Sequence, residues 1–197
     1  FEETSTLHLD NHFEWDAGHF FSPAIDWNRE GLEEPFEIAE GVVVPPGTYD
    51  GWQLAWHAYT NPAAPVAFET TLDWGAFLSG TRRSHQAFIS FRHGSAFSTA
   101  LRLEYNDINL AQGDFITRLA GLRMGYFFTP QIYLQSLVQY NDQADNWSAN
   151  VRFAWLGTAG TGLFVVYNHA DGVDALSGPI NRSLTLKYSR QFTAWGG

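Results

Sequence analysis

The chain contains no cysteine, one methionine, and no apolar run of the roughly 18 residues that a membrane-crossing helix needs. The first absence excludes a disulfide framework, though not an extracytoplasmic location. The last leaves closed sheets of strands as the means of spanning a bilayer. Charge is sparse and lopsided, with 11 Lys and Arg against 21 Asp and Glu and a formal net charge of -10. Phosphates require a basic face, so nucleic acid is excluded as a partner. There is no phosphate-cradling glycine loop and no G-x-S-x-G elbow. Ser84 and His85 are strand neighbours, so they face opposite ways and cannot act as a pair. No signal peptide is visible, and Phe1 opens the chain close to a strand-like segment. The expectation is a processed or C-terminal piece of a longer protein.

What the chain does have is apolar residues spread by alternation. Hydrophobic residues make up 45% and aromatics 16%, yet mean hydropathy is only -0.22. The clearest stretch is Phe115 to Trp155. Ile132, Leu134, Val138 and Tyr140 share one parity, and Tyr133, Gln135, Leu137 and Gln139 share the other. Trp147, Ala149, Val151, Phe153 and Trp155 resume the apolar parity after a polar stretch, Asn141 to Asn146. A period of two over about ten residues is a strand with one apolar face. Segments of this length, edged by aromatics, are the pattern of membrane-spanning β-barrels. The predicted fold class is therefore all-β: an antiparallel up-and-down transmembrane barrel over residues 1–197, as the C-terminal portion of a larger one.

About eleven strands can be marked by the same alternation. Arg29 to Thr48 interrupts it with Glu30, Glu33, Glu34, Glu37 and Glu40, and reads as a long outer-loop insertion at about 29–48. The bland form of that reading is a solvated loop with an apolar plug, Phe36-Glu37-Ile38, folded back on the rim. Asn106 to Asp114 and Asn168 to Pro179 read as further long loops, and His93-Gly94-Ser95, Thr129-Pro130 and Gly157 to Thr161 as short turns. Long and short then alternate, as in bacterial barrels. Trp15, Phe20, Phe127, Phe128, Tyr133, Trp155 and Phe192 form one expected aromatic girdle. Trp52, Tyr105, Tyr140, Trp147 and Tyr167 form the other. Arg118 shares the parity of Leu122, Met124 and Tyr126, which requires it to lie beyond the bilayer or a bulge to intervene. An odd strand count leaves open edges, which lipid does not tolerate. Further strands, from a missing N-terminal part or another chain, are expected to close the barrel.

Several stretches resemble one uncharacterised bacterial family: Glu34-Pro35-Phe36-Glu37-Ile38 with Gly41, Val44-Pro45-Pro46-Gly47-Thr48-Tyr49, Gly80-Thr81-Arg82-Arg83, Gly113-Asp114-Phe115 and Val138-Gln139-Tyr140-Asn141. In that family a carbohydrate-binding family 9-like domain precedes a long C-terminal outer-membrane-barrel region. The resemblance covers most of this chain and implies the barrel part without the sugar-binding domain. It implies no catalytic residue. Gly196-Gly197 after Trp195 departs from the aromatic ending common in such barrels.

Candidate chemistry is modest. Arg92, Arg102, Arg123, Arg152 and Lys187 fall on inward parities, as do Glu69, Asp73 and Glu104. Together they predict a charged lumen stripe, of the kind that constricts pores and selects solutes, or structural ion pairs that fill the interior. His8, Asp10 and His12, with Glu14, share a strand face. Alternate residues stand about 6.5–7 Å apart, so two could share a metal on a curved strand; polar lining is the plainer reading. The acidic stretches, Glu30 to Glu40 with Asp142, Asp145, Asp171 and Asp174, offer carboxylate oxygens for Ca²⁺, but without EF-hand spacing a solvated outer face is the plainer reading. The leading expectation is a non-enzymatic bacterial outer-membrane pore, secretion or anchoring scaffold without a cofactor. Its partners would be the lipid bilayer, the strands that close the barrel and the barrel-assembly machinery. The alternatives are a barrel hydrolase acting on lipid or glycan, centred on His8, Asp10 and His12, and a soluble carbohydrate-binding sandwich using Trp52, Trp56 and Trp74.

Overall fold

A computed structural model describes residues 4–157, 161–172 and 181–190. These residues form strands β1 (Thr4–Asp10), β2 (Phe13–Glu14), β3 (Phe20–Leu32), β4 (Phe36–Ala39), β5 (Val42–Val44), β6 (Gly47–Tyr59) and β7 (Val66–Phe77). Then follow β8 (Gly80–His93), β9 (Phe97–Leu110), β10 (Gly113–Thr129), β11 (Ile132–Asn141), β12 (Asn146–Leu156), β13 (Gly162–Gly172) and β14 (Asn181–Ser189). No helix occurs among the described residues. All strands but β4 and β5 belong to one sheet of 12 strands, ordered as a meander from β1 to β14, with β2 beside β3. The fold is thus all-β, antiparallel and up-and-down, as the alternation predicts. Among the described residues β1 pairs only with β3, and β14 only with β13.

The chain packs as two compact units. One comprises Phe1–Ile89 with Leu103–Arg118, the other Ser90–Arg102 with Leu119–Gly197. In the first unit, the register of β3 on β6 runs without a break from Phe20↔Tyr59 to Leu32↔Gly47. One face of this pair carries Ile25, Trp27, Trp52, Leu54 and Trp56, and the other carries Asp26, Asn28, Gln53 and His57. The apolar face is the exposed one: Trp52 is 55% exposed and Leu54 48%.

The expected loop over 29–48 is not a loop. β3 continues to Leu32, β6 begins at Gly47, and between them β4 and β5 form a separate two-stranded hairpin. Its turn is closed by Gly41, at φ +75°, whose N–H donates to Glu37 Oε1 at 2.9 Å. Glutamates made this stretch read as solvated, but Val42 and Val44, two residues apart, share one face. They pack with Ile108 and Leu110 into the main buried cluster, against Leu32, Ile38, Tyr49, Phe77, Leu78 and Phe115. Phe36, expected in the plug, is 48% exposed, whereas Ile38 does pack.

Asn106 to Asp114 is not a loop either. β9 and β10 are joined through Ala111 and Gln112 alone. Asn106 Nδ2 donates to Thr117 Oγ1 at 3.0 Å, and Ile108 and Leu110 alternate into the cluster. β13 likewise runs on through the expected loop start at Asn168 to Gly172. The expected alternation of long and short connections therefore does not hold, because polar residues here extend strands instead of ending them. Gly157 N donates to Thr161 O at 2.8 Å across the predicted turn. Asp174, Phe192, Trp195 and the loop to Pro179 lie outside the described residues.

In the second unit β10, β11, β12, β13 and β14 follow one another in register. Arg123 faces Leu137, Leu137 faces Asn150, Asn150 faces Asn168, and Asn168 faces Ser183. Ladder pairing on β11 is unbroken from Leu119 to Phe127, and the register shifts only between Phe127 and Thr129. No bulge therefore separates Arg118 from Met124. Arg118 sits one residue past the last β10 residue paired with β11, with its guanidinium 5.9 Å from the Tyr105 ring centre.

Glycines discriminate where backbones crowd. A Cβ on Gly80 would lie 2.0 Å from the carbonyl oxygen of Asn109, whereas one on Gly121 would meet nothing within 4 Å. Gly80→Ala should therefore destabilise the protein by several kcal/mol, while Gly121→Ala should be neutral or stabilising by up to about 1 kcal/mol. Denaturant unfolding of the two variants checks this. Val44→Asp, which places an unpaired charge in the cluster, should expose residues 33–46 to limited proteolysis while leaving strand content by circular dichroism intact.

Candidate functional site

The charged residues of the predicted stripe fall into both units. Glu69 and Asp73 on β7 and Glu104 on β9 belong to the first; Arg92, Arg102, Arg123, Arg152 and Lys187 belong to the second. In the first unit Glu69 Oε1 pairs with His57 Nε2 at 2.9 Å, and Asp73 stands opposite Ala55. Phe20 stacks on Tyr59 at 4.8 Å, with His57 5.6 Å away. Phe20 was expected in a girdle; its parity instead sets it among these polar-face groups. Phe127 and Tyr133, also expected there, meet at 5.5 Å on the polar face of the second unit. Phe128 and Trp155 do lie on the apolar face, 59% and 44% exposed.

His8, Asp10 and His12 form a chain rather than a shell. His8 hydrogen-bonds Asp26, its cross-strand partner, through Nδ1. Its Nε2 is 3.6 Å from Asp10 Oδ2, which lies 2.6 Å from His12 Nε2. Among the described residues no group of three or more His, Asp or Glu side chains has the geometry of a metal site. The first unit also holds a cavity of about 280 Å³ between β3, β6 and the β7–β8 turn. Arg29, Glu30, Asp50 and Arg82 line it, so its charges are mixed. The Arg82 guanidinium covers the Phe77 ring at 4.5 Å, and its buried Nε has no hydrogen-bond partner.

The second unit is different in kind. Arg123 and Arg152 line one cavity of about 270 Å³ together with Ser98, Gln135 and Asn150. Arg152 lies over the Phe164 ring at 5.1 Å, and Phe164 faces Lys187 across the β13–β14 pair. The next cavity, about 400 Å³, is lined by Gln139, Ser148, Asn168, Asn181 and Ser183 and holds no carboxylate. Its wall is an amide ladder: Asn150 Nδ2 donates to Asn168 Oδ1 at 2.5 Å, and Asn168 Nδ2 to Ser183 Oγ at 3.2 Å. Parity predicts that these groups share a face; which of them meet depends on register.

On the apolar face His169 is buried against Trp147 at 4.4 Å and accepts from Arg182 Nε at 3.1 Å through Nδ1. Sequence reading did not find this cluster. The only available signal was the shared parity of Trp147, His169 and Arg182.

No family model matches the chain, and neither a curated protein nor a solved structure matches it. Ile38, Val44, Tyr49 and Phe115 all join the buried cluster of the first unit.

Removing the middle of the ladder should loosen its outer strand. Asn168→Ala should cost about 0.5–1 kcal/mol, because both of its ladder bonds are solvent-exposed and water re-pairs Asn150 and Ser183. The measurable result is faster amide hydrogen exchange in β14 than in β11.

Proposed function

We propose that the chain is part of a bacterial outer-membrane β-barrel, non-enzymatic, whose apolar face meets lipid and whose polar face lines a passage or scaffold for polar solutes. The observation that carries this reading is the inversion of the usual burial. Large apolar side chains stand exposed along one face of each unit, including Trp52 and Trp74 in the first and Leu184 and Leu186 in the second, the last two 73% and 69% exposed. Only Val42, Val44, Ala67, Ile108, Leu110 and Ala154 are buried hydrophobics among the described residues. Soluble monomers rarely expose contiguous apolar patches beyond a few hundred Å². A hydrocarbon environment removes that penalty, and alternation is how a barrel presents such a face. A soluble sandwich would bury the same side chains between two packed sheets.

Strand closure belongs to the same proposal. Among the described residues β1 and β14 each have one hydrogen-bonded neighbour, and lipid requires both edges to be paired. The partners are strands supplied by a preceding segment or by another chain. The hairpin of β4 and β5, packed on the polar-parity residues Tyr49, Phe77 and Phe115, acts in this setting as an inward-folded plug.

The test is expression with the natural upstream sequence, followed by outer-membrane fractionation and heat-modifiable gel mobility. A membrane-bound, heat-modifiable species is expected; a soluble, non-modifiable one overturns the reading. Substitution separates the faces. Leu72→Arg, mid-strand on the apolar face, should cost about 2–4 kcal/mol of insertion, while Thr71→Arg on the polar face should insert normally. Equal insertion of both variants would contradict the assignment of faces.

A further inference from the structure

We infer that Arg123 and Arg152 form an oxyanion-binding site on the polar face of the second unit, taking small solutes that carry a carboxylate or phosphate together with hydroxyls. As a solute site within a barrel it rests on the proposed function; as a binding site it stands on the following geometry. Arg123 faces Leu137, Leu137 faces Asn150, and Arg152 faces Gln135. The two arginines are therefore two strands apart and two residues out of step. Strand spacing and rise put their Cα atoms about 12 Å apart, within joint reach of one small ligand. They line the same cavity of about 270 Å³.

Charge is one-sided there. Among the described residues assigned to this unit no Asp or Glu holds a polar-face strand position: Asp171 faces Trp147 on the apolar face, Asp142 and Asp145 lie in the β11–β12 turn, and Glu104 belongs to the part of β9 in the first unit. Arg152 sits over the Phe164 ring, and no carboxylate lines the cavity that it shares with Arg123. A guanidinium held against a ring by cation–π attraction keeps its N–H donors available for an oxyanion. Ser98, Gln135 and Asn150 surround the two forks with neutral donors and acceptors suited to hydroxyls. Gly125 keeps the floor open, since a Cβ there would press on Ser98 Oγ at 3.2 Å. The first unit's cavity lacks this character, because Glu30 and Asp50 share it with Arg29 and Arg82. A carboxylate or phosphate bound by paired guanidinium forks gains charge-assisted, bidentate hydrogen bonds, which a neutral polyol cannot.

The experiment is calorimetric titration of the full-length chain in detergent at low ionic strength, with inorganic phosphate and acetate as separate probes and glycerol as the neutral comparison. Phosphate or acetate should bind and glycerol should not; the stronger of the two names the preferred oxyanion. Arg123→Gln and Arg152→Gln should each weaken binding about tenfold or more. Arg152→Lys should fall between, retaining charge without the fork. Arg29→Gln, outside this cavity, should bind as the parent does. Variants are compared only after heat-modifiable mobility or circular dichroism shows the parental fold. A parent that binds neither anion, or glutamine variants that bind as well as the parent, overturns the inference. A membrane-inserted protein without anion binding would do so while leaving the barrel reading intact. Arginine-dependent binding by a protein that stays soluble would do the reverse.

Discussion

Hydrogen bonding between strands adjacent in sequence is the constraint on which the structure depends. From β3 onward each main-sheet strand pairs with the next along the chain, apart from the β4–β5 interruption, and β1 and the short β2 both pair with β3, so the backbone is satisfied locally and no long crossover is needed. Once that ladder is set, period two leaves no freedom: a residue's parity assigns it to a face. Trp52 cannot turn inward without carrying Leu54 and Trp56 with it and turning Gln53 outward. The two faces are therefore one decision, repeated strand by strand.

Charge then divides what the ladder makes uniform. In the first unit carboxylates and cations mix at the hairpin: Asp50 opposes Arg29 across β3 and β6, and Glu30 and Arg82 line the same cavity. In the second unit the polar face carries Arg92, Arg102, Arg123, Arg152 and Lys187, and no carboxylate lines the cavity that Arg123 and Arg152 share. A chain of net charge -10 thus holds a locally positive face. Net charge speaks to solubility and to bulk partners, while local sign governs which solute is held.

Much of this was legible in the residues, and the failures share a cause. β11 and β12 were plain because Ile132 to Tyr140 and Trp147 to Trp155 alternate cleanly around a polar turn. Asn106 to Asp114 was misread because its polar residues outnumber its apolar ones, yet Ile108 and Leu110 keep the alternation and decide the pairing. The 29–48 stretch was misread likewise, through its glutamates, although Val42 and Val44 already marked a buried face. In both stretches composition points to a loop and periodicity points to a strand, and periodicity decides. The stripe's parity could be read directly, but the meeting of Arg123 and Arg152 in one cavity could not. That depends on a diagonal offset which only the register supplies.

The meander also bears on how such a chain changes size. The closely paired strands are sequence neighbours, so a hairpin can be added to or removed from the sheet without rerouting the rest. The cluster of Val42 and Val44 with Ile108 and Leu110 is the exception, joining segments more than sixty positions apart in the numbering. Duplication or loss of a hairpin is structurally cheap beyond that span and costly inside it. The cluster therefore marks the portion of the sheet where a change in strand number would also break side-chain packing.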